Sequence, residues 1–124
     1  MSRFLSPGNS MFRSFAGDAP TILRLLVKFR VEFDANLRDW EAEIKQGDGE
    51  RLFQIQHRWL SGFRTLGYEE ISQKIGQIQK ILHANLPNSS PTVFEEAEQL
   101  RGDLQAVRAD LEAEIEQIEA FLKK

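Results

Sequence analysis

Apolar residues fall at Ile22, Leu26, Phe29, Phe33, Leu37, Trp40 and Ile44, always three or four positions apart. A helix gathers such a series onto one face, whereas a strand would send its members to both sides. The rhythm returns in Leu52, Ile55, Trp59, Phe63 and Leu66, and then in Ile71, Ile75, Ile78 and Leu82. It returns again in Ala97, Leu100, Leu104, Val107, Leu111, Ile115, Ile118 and Leu122. Asp18-Ala19-Pro20 opens the first helix, because an acidic residue and a proline suit a first turn. Gly47 and Gly67 stand where glycine ends a helix, and the third helix starts around Tyr68. Leu86-Pro87-Asn88-Ser89-Ser90-Pro91 reads as a loop, with Ser90 as N-cap and Pro91 in the first turn of the last helix. Four amphipathic helices on short connections predict an all-α chain, an antiparallel up-and-down four-helix bundle over residues 18–124. Residues 1–17 contain Pro7, Gly8, Asn9 and Gly17 and form an N-terminal arm. They are read either as a partly docked segment or short helix, or as a disordered end. The charged outer faces of the last helix also allow a coiled-coil dimer, but its apolar period suits one bundle helix. A monomer is expected.

Composition narrows the chemistry. The 124 residues suffice for one core. The net charge of −3 argues against nucleic acid, since neutralising phosphates takes a basic surface. Without cysteine there is no disulfide framework, thiolate nucleophile or cysteine metal site. Two histidines, His57 and His83, make no zinc site alone, so no cofactor or metal is expected. No apolar run reaches the ~20 residues of a membrane span, and the first residues do not have the pattern of a signal peptide. The expected compartment is the cytoplasm, with no membrane partner.

The second helix carries the chemistry. Its core stripe is Leu52, Ile55, Trp59, Phe63 and Leu66. His57 lies off that stripe, on a second one with Phe53, Leu60 and Arg64, next to Ser61. An apolar patch off the core suggests a partner surface. A half-exposed imidazole suits nucleophilic or acid–base work, because imidazoles titrate near neutrality. A surface histidine without function is the plain alternative.

The segment GDGERLFQIQHRWLSGFRTLG resembles the phosphotransfer helix of histidine-containing phosphotransfer domains. These are four-helix bundles that carry phosphoryl groups between aspartates of response-regulator receiver domains. Gly47 and Asp48 precede His57 by the family's ten and nine residues, and Leu66 and Gly67 follow it by nine and ten. The long first helix and the Glu-rich last one extend the resemblance over about residues 18–123. It implies that His57 is the phosphorylated residue. It also implies that Gln79, twenty-two residues on, accepts a hydrogen bond from Nδ1 and leaves Nε2 free to attack. The family pattern His-x-x-Lys-Gly reads here His57-Arg58-Trp59-Leu60-Ser61, so Leu60 replaces a lysine that would neutralise phosphate. Arg64, two turns along, is the substitute cation. His83, one turn after Gln79, could reach the same region, or simply complement the end of its helix.

The resemblance thus implies a stoichiometric phosphoryl carrier rather than an enzyme. No nucleotide-binding GxxxxGK[ST] occurs in the chain. Its partners would be receiver domains, which bring Mg²⁺, and a hybrid sensor histidine kinase upstream. Phe53, Leu60, Ser61 and Arg64 would form the docking face. The alternatives are a degenerate adaptor that binds a receiver without carrying phosphate, and an unrelated helical oligomerisation bundle.

Overall fold

The structure is a computed structural model that describes residues 2–85 and 91–124. A 3₁₀ turn at Arg3–Leu5 is followed by α1 (Ser10–Ser14), α2 (Ala19–Gln46), α3 (Gly49–Leu66), α4 (Glu69–Asn85), α5 (Pro91–Glu98) and α6 (Arg101–Leu122). Among the described residues there is no strand. None of the described helices is long and apolar enough to cross a membrane. The expected Ser90 cap lies outside the described residues. Two compact units divide the chain, one of Met1–Glu32 with Ala106–Lys124 and one of Phe33–Gln105.

The first unit holds the arm. Asn9 caps α1 by accepting from the amides of Met11 and Phe12, and Asp18 accepts from the amide of Thr21 in the first turn of α2. Phe4, Leu5 and Met11 are buried with Ile22, Leu26, Leu111, Ile115 and Ile118. Phe4, Leu5 and Met11 therefore belong to the core of this unit. The clasp is Glu114, itself buried on α6. It accepts from the Ser2 hydroxyl, from the Arg3 amide at 3.2 Å and from the Arg3 guanidinium at 2.8 Å. A buried carboxylate is tolerable here because both oxygens have donors and a cation faces it. In the same unit, the hydrogen bond from Arg108 holds Glu112 below the ordinary carboxylate range against desolvation, and a hydrogen bond from Arg30 adds to it.

The second unit is built around α3. Asp48 caps α3 by accepting from the amide of Arg51 at 3.1 Å, and Gly67, at φ 81°, ends it. A left-handed residue of this kind strains any side chain with a Cβ, which is why glycine stands there. One flank of α3 meets the 33–46 half of α2 through aromatic rings. Trp59 lies 5.2 Å from Phe33 and 6.4 Å from Trp40, centroid to centroid. The other flank packs on α4, where Ile71, Ile75, Ile78 and Leu82 are buried as expected.

The last helix departs from expectation. It was read as one helix through Leu100, but a turn at Gln99 and Leu100 separates α5 from α6. The Leu100 amide bonds to Ala97, three residues back, and tightens the backbone there. Gly102, a weak helix former, follows at once. Arg101 fills the corner, reaching Glu98 at 2.6 Å and Glu41 at 2.7 Å, with its guanidinium over the Trp40 ring. Leu122, expected on the apolar stripe, is 40% exposed.

Candidate functional site

Capping at Asp48 and Gly67 fixes the ends of α3, and His57 falls at its middle. The imidazole is exposed, and the described residues form no hydrogen bond to it. One turn earlier, the half-buried Phe53 lays its ring nearly parallel to His57, 6.2 Å between centroids at 11°. From α4, His83 approaches the same phenyl ring at 5.8 Å and 33°. His83 is exposed as well. One aromatic side chain therefore has an imidazole from each of two helices against it.

Two of the expected roles need correction. Gln79 does not hold the His57 ring. Its carboxamide is buried and turned along α3: Oε1 accepts from Gln56 Nε2 at 2.8 Å, and Nε2 donates to the Phe53 carbonyl at 2.9 Å. In an α-helix the carbonyl of residue 53 is also the acceptor for the amide of residue 57. Gln79 thus acts on the backbone turn that carries His57, while the ring itself is left unbonded. Leu60 is not part of an exposed patch, being only 7% exposed. The buried arc of α3 is wide because α3 is covered on two flanks, and Leu60 lies on it one turn after the fully buried Gln56. Ser61 and Arg64 are exposed, as a docking face requires.

Gln56 was not among the expected site residues. Its Oε1 accepts from Trp40 Nε1 at 3.2 Å, and its Nε2 donates to Gln79. The result is a directed polar chain from Trp40 through Gln56 and Gln79 to the carbonyl beneath His57. The signal was available: residues 52, 56, 59 and 63 are themselves a core ladder, with a glutamine at its second step.

The burial of Leu60 changes what a lysine there would do. Leu60→Lys should lower stability by about 1–3 kcal/mol, because the new ammonium must leave the packed arc or lose its hydration. Chemical denaturation checks this; an unchanged midpoint would show that the position opens freely to solvent.

A cavity of about 540 Å³ is bordered by Ile78, Ile81 and Leu100, and one of about 300 Å³ by Glu43, Arg51 and Arg58. Neither is lined by His57 or His83. Both imidazoles are exposed, so a macromolecular partner can reach them from solvent. Among the described residues no group of three or more His, Cys, Asp and Glu side chains could hold a metal ion. Compared with family models, with curated proteins and with solved structures, the chain matches none.

Proposed function

We propose that the chain is a phosphoryl carrier that uses His57 to pass phosphate between receiver-domain aspartates. The observation that carries this reading is the exposed, unbonded imidazole at the middle of α3, backed by Phe53. As part of the proposal, α2, α3, α4 and the broken pair α5–α6 form an up-and-down four-helix bundle with the arm attached. Helix number, apolar stripes and the short connections at Gly47-Asp48 and Gly67-Tyr68 support that arrangement.

The chemistry asks little of the bundle. His57 Nε2 attacks the phosphorus of an aspartyl phosphate in line. The P–O bond to the aspartate breaks, that carboxylate leaves with its electron pair, and a P–N bond forms on the ring. The reverse step hands the phosphoryl group to a second aspartate. The receiver brings Mg²⁺ and most of the charge stabilisation, so the carrier needs an accessible nucleophile held in position. Phe53, Ser61 and Arg64 remain as the docking face, while Leu60 serves the interior. The proposed part for Gln79 is to fix the turn that carries both Phe53 and His57.

The test is to mix the protein with phosphorylated receivers and look for acid-labile, alkali-stable label. A receiver that binds firmly and leaves no label would move support to the adaptor reading.

A further inference from the structure

On α3, Phe53 and His57 are four residues apart and share a face; on α4, Gln79 and His83 do the same. The two faces are tied at one point, where Gln79 Nε2 donates to the Phe53 carbonyl. Helix side chains lean toward the N-terminus of their own helix. On two antiparallel neighbours joined by the Gly67 turn, His57 and His83 therefore lean toward each other's level. Phe53 is the ring that both approach, stacked on one and tilted against the other. Both imidazoles keep an exposed edge. No cation sits one turn beyond His57, because Leu60 occupies that position and is buried. Arg64 lies seven residues along, about 10 Å further down the axis.

We propose that His83 is the second phosphoryl-binding residue of the His57 site, donating a ring N–H to a phosphoryl oxygen carried on His57 Nε2. This rests on the phosphocarrier reading of His57. An imidazole keeps at least one N–H in either protonation state, so His83 is a donor when neutral and a charged donor when protonated. The bond opposes hydrolysis of the P–N bond by drawing the phosphoryl group over Phe53 and away from free solvent.

Phosphoramidate tests this without any receiver. It transfers its phosphoryl group directly to imidazole: its P–N bond breaks, ammonia leaves, and a new P–N bond forms on the ring. The parent, His83→Gln and His83→Arg are treated alike, with His57→Gln as the labelling control and circular dichroism confirming that each is folded. Phosphorus NMR follows decay at neutral pH, and mass spectrometry locates the label. The expected result is label on His57 whose half-life falls roughly fivefold in His83→Gln and recovers in His83→Arg, a modest factor because the site faces water. A merely structural His83 would not be rescued by arginine. An unchanged half-life in His83→Gln, label on His83 in place of His57, or no label on His57 overturns the inference. A protein that shows the expected half-lives yet takes nothing from phosphorylated receivers would keep this site and lose the carrier function.

Discussion

His57→Gln should take no phosphoryl group from a receiver domain, yet stay within about 0.5 kcal/mol of the parent in stability. Both halves follow from where the side chain sits. The imidazole is exposed and makes no hydrogen bond, so its loss leaves no cavity and orphans no buried partner. Its ring stacks on the flank of Phe53, which glutamine can still cover. Glutamine offers no nucleophilic nitrogen, because its amide lone pair is delocalised, and the P–N bond therefore has nowhere to form. His83→Gln should still acquire label, although it holds that label less well. Autoradiography of receiver mixtures, beside urea denaturation of each variant, checks the pair. Full labelling of His57→Gln would move the reactive site elsewhere. A large fall in its stability would mean that the ring is a packing element.

The neighbouring residue should behave in the opposite way. Gln56→Leu is expected to cost about 1–3 kcal/mol although it adds an apolar side chain of similar size to the core. Gln56 is fully buried and serves two partners. Without it, the Trp40 indole N–H loses its acceptor and Gln79 Oε1 loses its donor. Each orphaned buried group costs about 1–3 kcal/mol. The transfer gain from burying leucine, about 1.5–3 kcal/mol for such a side chain, recovers only part of that, since the pocket is shaped and wired for an amide. Adding Trp40→Phe to Gln56→Leu removes one orphan, so the double variant should lose less than the sum of the singles. Equal midpoints for Gln56→Leu and the parent in urea would show that the polar chain contributes nothing.

The contrast between positions 56 and 57 also shows how far the sequence could be read. Period and caps predicted the helices because they are local: Asp48, Gly67 and the three-and-four spacing act within a turn or two. The exposure of His57 followed from the same periodicity. The placements of Leu60 and Gln56 did not, because each depends on the width of the buried arc of α3, and that of Gln79 depends on its partner Gln56. That width is set by its neighbours, Phe33 and Trp40 of α2 against Trp59 on one side and α4 on the other. Glutamine at a core step reads as an interruption until its partner on another helix is known. For Gln79 the resemblance implied a hydrogen bond accepted from the His57 ring, whereas its donor is Gln56 Nε2 and its own N–H goes to the Phe53 carbonyl. The contact of His83 with Phe53 had no local signal beyond its spacing from Gln79. The break at Leu100 was hidden because the apolar series runs through it without a missed step.

The Glu114 clasp bears on the order in which the chain can fold. Arg3 and Glu114 are 111 residues apart, so on a ribosome adding ~5–20 residues per second the arm emerges roughly 5–20 s before its acceptor is made. The 33–105 unit is contiguous and its last residue precedes Glu114 by nine, so its residues are all made before the clasp's acceptor is. The unit that gathers Met1–Glu32 with Ala106–Lys124 must instead close a loop of about a hundred residues, an entropic cost met only once residues 106–124 have been made. Until then Phe4, Leu5 and Met11 have no α6 to dock against, and the nascent arm is an apolar segment open to whatever chaperone or neighbouring chain reaches it first.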